Sequence, residues 1–518
     1  MSVTQRMNAP SQRRQRWRAL RRILKKELSG WKSEWVMPPA SHLRRVAAAT
    51  LRRSPVSRGI AAWLALAIAI AAAPALSGCA TYAPSPLGRG EGALSVAQLV
   101  APTANMPMPT LATHRLDPTD GLDVTEVATL TLANSPALKL KRDALGVASA
   151  QAFAAGLLPD PQLSLGEDFP RHSGGGLTTA YSLGLSEDIT ALLTRSSRTA
   201  VARSQAAQVN LDLLWAEWQA VAQARRLFDQ VLSLRAQQTL LDTEQAALAP
   251  VGQYIDAALR AGNLTYDSAS AGLNAGADVH KRLADNAIAL HQADSDLHVL
   301  LGLAPTVPLD LVGAPYQAEP TPAQLQQALI DLPARRPDLL ALQAGYQSQE
   351  AKLRAAVRAQ FPALTIGFNT ARDTSAVYSN GFNIGITLPL FDRNRGNIAI
   401  EQATRQQLKD DYTARLLATR SDMQRLLADL DTLQRQRTAL VAHAGQLDDA
   451  RRAAARAWQR NLLDWPTYLA IRGNALSADL DLLAVQQQQA TQAIALQALL
   501  GNTDLVVAHP APAEVSTP

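Results

Sequence analysis

Cysteine is almost missing from this chain: Cys79 is the only one in 518 residues. That excludes a disulfide framework and any zinc site built on cysteines. Charge is sparse as well, at 18% against the roughly 25% usual for soluble globular proteins, and aromatic residues make up 5%. No Walker A, GxSxG or HExxH motif occurs, and no GxGxxG opens a predicted helix. A phosphate cradle, a nucleophile elbow and a helix-borne zinc pair are therefore not expected. Gly174-Gly175-Gly176 lies between two predicted strands and reads as a loop. His280, His291 and His298 share one predicted hairpin, but steps of 11 and 7 do not bring them onto one helical turn. No metal, no cofactor and no enzymatic activity are expected.

The net charge of +6 misleads. Residues 1–58 hold 15 Lys and Arg against two acids, whereas residues 79–518 hold 35 against 42 and are net negative. A basic footprint in the folded part is missing, which excludes nucleic acid as a partner. Ile60 to Ala75 is an uncharged Ala, Leu and Ile run that follows Arg52, Arg53 and Arg58 and ends in Leu76-Ser77-Gly78-Cys79. A basic stretch, a short apolar run and small residues at its end make a signal peptide, here residues 59–78. Leu-Ser-Gly-Cys resembles the lipobox of bacterial lipoproteins, which implies that Cys79 becomes the acylated first residue of the mature chain. Residues 1–36 are unusual in front of such a signal, and Met37 offers a second start. The expectation is that translation begins there and that the 1–58 extension is shorter than written.

What the chain does have is an internal repeat of about two hundred residues. Asn134-Ser135-Pro136-Ala137-Leu138 returns as Arg335-Arg336-Pro337-Asp338-Leu339, and Leu183-Gly184-Leu185 as Ile384-Gly385-Ile386. Val299-Leu300-Leu301-Gly302 returns as Ala498-Leu499-Leu500-Gly501. The repeats span 123–303 and 323–501. Between them lies a connector, 304–322, with five prolines; a linker, 79–122, precedes them and a tail, 502–518, follows. Each half reads as a helix, two short strands and a long helical hairpin. Leu211, Leu214, Trp218, Val221, Phe228 and Val231 follow heptad spacing and predict a narrow coiled-coil seam without a self-contained core. Trp215 and Trp218 read as core or seam residues. The helix expected from about 192 to about 249 would be roughly 85 Å long.

The strands alternate strictly. Leu364, Ile366 and Phe368 oppose Thr365, Gly367 and Asn369; Phe382, Ile384 and Ile386 oppose Asn383, Gly385 and Thr387. Tyr181, Leu183 and Leu185 alternate with small polar residues in the first half, as do Leu163 and Leu165. A face that is small and neutral suits the water-filled inside of a membrane barrel. Four strands are too few to close one, so closure across subunits is expected.

Lipobox, repeats, paired strands and long hairpins together resemble the TolC-like outer-membrane efflux channel family, whose lipoprotein members are the outer-membrane factors of tripartite pumps. The likeness covers roughly 123–501. It rests on Asn134-Ser135-Pro136, on Gly156-Leu157-Leu158-Pro159-Asp160-Pro161 before the first strand, on Arg335-Arg336-Pro337-Asp338 and on the Leu-Leu-Gly that ends each repeat. The resemblance implies a mainly α fold with a small membrane β-barrel part. It would be a homotrimer with a twelve-stranded barrel in the outer membrane of a Gram-negative bacterium, continued by a periplasmic α-helical barrel. It also implies a passive exit duct that works with a periplasmic adaptor and an inner-membrane transporter.

Arg260-Ala261-Gly262-Asn263-Leu264 is similar to the family's motif at the periplasmic tip, and Gln459-Arg460-Asn461-Leu462-Leu463 is its second copy, with Asn where Gly is common. Candidate adaptor contacts are thus Gly262, Asn263, Leu264, Asn461, Leu462 and Leu463. The family's acidic gate position falls on Ser268 and Thr467, and Asp267 and Asp464 stand close by as alternatives. A periplasmic coiled-coil scaffold or surface stalk without a pore would share the heptads, but it gives strands no reason to recur in both repeats. The first repeat resembles the metal-efflux branch and Arg335-Arg336-Pro337 the drug-efflux branch, which leaves the substrate open.

Overall fold

A computed structural model describes residues 82–87, 93–99, 111, 117, 120–171, 176–314 and 322–500. The basic extension, the signal segment, Cys79 and the tail lie outside them. The chain divides into two units, Met1–Arg89 and Gly90–Pro518. In the first, residues 82–87 are exposed and irregular. The helices and strands of the described residues all belong to the second.

The first repeat comprises α1 (Val124–Asn134), α2 (Pro136–Gly156), β1 (Gln162–Asp168), β2 (Ala180–Asp188), α3 (Ile189–Arg260) and α4 (Tyr266–Leu301). The second comprises α5 (Pro322–Arg335), α6 (Pro337–Arg358), β3 (Ala363–Arg372), β4 (Tyr378–Thr387), α7 (Arg395–Gln459) and α8 (Trp465–Leu500). Where one opening helix was expected in each half there are two. Pro136 and Pro337 explain the split. A proline drives the preceding residue out of the α region, yet suits the first position of a new helix. Ser135 and Arg336 accordingly have ψ of 122° and 123°. A capping box starts α1: the Asp123 carboxylate accepts from the Glu126 amide at 2.7 Å and Glu126 accepts from the Asp123 amide at 3.0 Å.

α3 is longer than expected. Its 72 residues extend over about 108 Å at ~1.5 Å per residue. Pro250, just past the expected end near 249, lies inside the helix and removes one helical hydrogen bond. The helix nonetheless continues because Val251 and Ile255, just beyond, are buried against the neighbouring hairpin.

The absence of a self-contained core is corrected. Trp218, Val221, Phe228 and Val231 are buried as the heptads predicted, while Leu211 and Leu214 are only half-buried. A second row, Ala220, Ala224, Leu227 and Leu234, is buried beside them. These residues join α1 (Val127, Leu130, Leu132), α4 (Leu297, Leu301) and the connector in one apolar cluster. A helix contacted by α1, α2, α4, α6 and α8 must be apolar over more than a two-helix seam.

The connector takes part in that cluster. Val307, Leu309 and Leu311 are buried, and backbone bridges join Leu303 to Ala93 and Leu311 to Leu122. The segment expected to be a plain linker is therefore tied down at two points. Gly302 ends α4 with φ +70°, and a Cβ there would lie 3.1 Å from the Asn134 carbonyl oxygen. The Leu-Leu-Gly and Asn-Ser-Pro motifs, remote in sequence, meet at this contact. His298 sits beside it, buried, with Nδ1 2.7 Å from the Asp294 carbonyl and Nε2 2.6 Å from that of Val307. Among the described residues, no helix is long and apolar enough to cross a membrane.

Candidate functional site

Two ends of the second unit carry the features of interest. At one end, β1-β2-β3-β4 form an antiparallel sheet in that order, so β1 and β4 each keep one unpaired edge. Register places side chains in rows. Leu163, Leu185, Phe368 and Phe382 form one, Leu165 and Leu183 fall in the next, and Ile366 with Ile384, a row that Glu187 opens, and Leu364 with Ile386 fall on the other side. The last row is Glu167, Tyr181, Arg372 and Tyr378, with the two tyrosine rings edge-on at 6.4 Å and the guanidinium 5.7 Å from the Tyr378 ring. From Ile386 to Tyr378 is eight residues. That is about 27 Å along a strand, or about 21 Å across a membrane at a tilt near 40°. The apolar face is exposed in the single chain.

The opposite face is built of glycines set against small polar side chains: Gly166 with Ser182, Gly184 with Ser164, Gly381 with Asn369, Gly367 with Asn383 and Gly385 with Thr365. A Cβ on Gly166 or Gly184 would sit 2.6 Å from the partner's hydroxyl, and one on Gly381 2.7 Å from the Asn369 amide oxygen. Each side chain thus lies across the neighbouring strand's glycine. The result is a thin wall that water can line, neutral between Asp168 and Asp188 at the strand ends.

At the other end, the α3–α4 and α7–α8 turns lie next to each other. Gly262 (φ +73°) and Asn461 (φ +55°) occupy the same left-handed position in the two copies, which Asn tolerates. Thr265 caps α4 by accepting from the Ser268 amide at 3.3 Å, and Asp464 accepts from the Thr467 amide at 2.8 Å. Ser268 and Thr467 are thus equivalent residues in the first turns of their helices. Hydrogen bonds from the Thr467 hydroxyl and amide hold the Asp464 carboxyl below its ordinary value. Asp267 is exposed in the first turn of α4. Leu264 and Leu463 turn inward, against Val251, Ile255, Ala269, Trp465 and Tyr468. Gly262, Asn263, Asn461 and Leu462 are exposed, Leu462 by 75%.

The repeat breaks symmetry here. Tyr266 and Trp465 are equivalent, yet Tyr266 is 77% exposed and Trp465 only 9%. Gly272 makes room for this packing, since a Cβ there would lie 3.1 Å from the Trp465 ring. Further from the tip, Arg472 of α8 forms a two-pronged ion pair with Glu244 of α3 (2.9 and 2.6 Å) and donates to the Tyr468 hydroxyl at 3.3 Å. Nearby, Arg451 bridges Asp448 and Asp479. Sequence reading missed the Arg472–Glu244 pair. Its partners are 228 residues apart, and the only local sign was a charge at a seam-facing position.

Comparison with known proteins agrees with this architecture. Residues 327–502 match the family model described as "Outer membrane efflux protein". Outer membrane protein OprJ of Pseudomonas aeruginosa is 30% identical over 149 residues, 27% of this chain and 31% of that protein. Protein CyaE of Bordetella pertussis is 26% identical over 439 residues, 78% of this chain and 84% of that protein. The open-state structure of the Neisseria gonorrhoeae MtrE outer membrane channel superposes with a TM-score of 0.62 at 17% identity, over 82% of this chain and 98% of that one. Residues 327–502, nearly the whole second repeat, thus match an outer membrane efflux protein domain, and the chain through both repeats has the fold of the TolC-like outer-membrane efflux channels.

Proposed function

We propose that this protein is the outer-membrane channel component of a tripartite efflux system, a passive duct for solutes handed on by an inner-membrane transporter through a periplasmic adaptor. One observation carries the reading: a four-stranded sheet with two open edges, one apolar exposed face and one small neutral face. Such a sheet buries nothing by itself. Three copies joined edge to edge give twelve strands, enough to enclose water, and the apolar faces then meet lipid. The pore-free stalk leaves this sheet without a role.

In this reading Cys79 carries the acyl anchor in the outer membrane. The exposed tip residues Gly262, Asn263, Asn461 and Leu462 meet the adaptor, while Leu264 and Leu463 support them from within. Asp267 and Asp464 are the acidic candidates for the gate, and Ser268 and Thr467 donate their amides to Thr265 and Asp464, which cap the helices that carry it. Threefold symmetry would turn each inward-facing acid into a ring of three, which favours cations.

Purified full-length protein added to a planar lipid bilayer tests the proposal, with its mass in detergent measured alongside. Stepwise conductance from a particle of three chains is expected. A monomer that leaves the bilayer silent would overturn it.

A further inference from the structure

We propose that the collar where strands give way to helices is a docking surface for anionic phospholipid headgroups on the helical side of the membrane. The inference rests on the membrane-barrel reading above. Three hydrogen bonds hold four helix ends at one level. Arg195 of α3 donates to the Gly156 carbonyl ending α2 at 2.6 Å. Arg358 of α6 donates to the Ser197 hydroxyl of α3 at 2.7 Å. Asn394, before α7, donates to the Ala356 carbonyl of α6 at 2.8 Å.

Two independent features mark this collar. The first is apolar: Leu158, Leu193, Phe361, Leu390 and Phe391 are all exposed there, Phe391 by 89% and Phe361 by 74%. They continue the apolar face of the sheet, of which Leu364 and Ile386 are the nearest row. The second is charge. Segments 144–161, 187–203, 351–362 and 388–400 contain eight Lys and Arg against Asp160, Glu187, Asp188 and Asp392, a net of +4 in a body from residue 79 onward that is net negative. Arg195, Arg198, Arg354, Arg358, Arg393 and Arg395 are all exposed. α7 also begins here with no side chain capping its first turn, and such a start favours negative charge.

An apolar belt edged by guanidinium groups is complementary to a phospholipid interface. The rings and leucines reach the acyl boundary while the arginines meet phosphate. Each basic side chain close to an anionic surface adds to the attraction, and salt weakens it. A neutral headgroup offers the first interaction and much less of the second.

The test uses the detergent-solubilised full chain, with its unfolding midpoint followed on addition of phosphatidylglycerol, phosphatidylcholine or inorganic phosphate at equal concentration. Phosphatidylglycerol is expected to raise the midpoint by about 5 °C, with at most a small effect of the other two. The rise should disappear in the Arg198→Gln, Arg393→Gln double variant and persist in Arg198→Lys, Arg393→Lys. An equal rise with phosphatidylcholine or phosphate, or an unchanged rise in the Gln variant, would overturn the proposal. Bilayer conductance of wild type and both variants, measured in parallel, separates the two readings. If the channels conduct without lipid selectivity, the collar alone fails; if every bilayer stays silent, the duct fails first.

Discussion

Asn461 and Asp464 show how much of the tip is local chemistry. The left-handed backbone at Asn461 ends α7, and three residues later the Asp464 carboxylate receives the Thr467 amide. Because these bonds favour the ionised form, Asp464 contributes stability that is fully present above its ordinary value of 3.8. That contribution fades as pH falls below 3.8 through the lower value it has in the folded tip. The protection of the Thr467 and Tyr468 amides against hydrogen exchange, taken relative to the intrinsic rate at each pH, should therefore fall on acidification in the wild type. In Asp464→Asn the protection should be weaker at neutral pH and lose this acid dependence. Arg472 is a different case. Glu244 is only 4% exposed, so Arg472→Ala strands a buried carboxylate and is expected to cost about 3 kcal/mol. Arg472→Met with Glu244→Leu removes both charges and should recover most of that loss in denaturant unfolding.

Among the elements, the strands answer to pairing between glycines and polar side chains. Gly367 faces Asn383 across β3 and β4, and a Cβ would collide with its amide. Gly367→Val should lower the unfolding midpoint and the fraction of channels that conduct. Asn383→Gly added to it should restore both, because it vacates the space the new side chain needs. That rescue separates a steric clash from a loss of backbone freedom, which Asn383→Gly would worsen. The opening helices behave differently in the two repeats. α1 is buried in the main cluster, whereas Ile330 of the equivalent α5 is exposed. Leu332 of α5 is buried as well, and Ala328 joins a smaller group with Met423, Leu426, Leu496 and Leu500.

For the whole molecule, the unpaired edges of β1 and β4 make a direct prediction. Replacing Cys79 by Ser and introducing Ser164→Cys with Asn383→Cys places one thiol on each edge strand. A short bis-maleimide is then expected to link chains into dimers and trimers and no higher species, as read on a denaturing gel. Single-cysteine controls should yield dimers at most. A ladder extending past the trimer would indicate open-ended pairing and contradict a closed barrel.

Much of this architecture was legible from order and period alone. Alternation at period two identified the strands and their two faces, because side chains on a strand have no other choice. Motifs returning about two hundred residues apart showed that one unit is used twice, and Asn461, standing where Gly is common, takes the same left-handed backbone as Gly262. What could not be read depends on contacts between distant segments. The continuation of α3 past Pro250 required Val251 and Ile255 to be buried against the neighbouring hairpin. The core required the connector and the stretch before α1 to lie on α3 and α4. The opposite fates of Tyr266 and Trp465, equal by repeat, were decided by which flank of each hairpin meets the other. Periodicity states which faces are apolar; only packing, where two surfaces compete for the same space, decides which of them is covered.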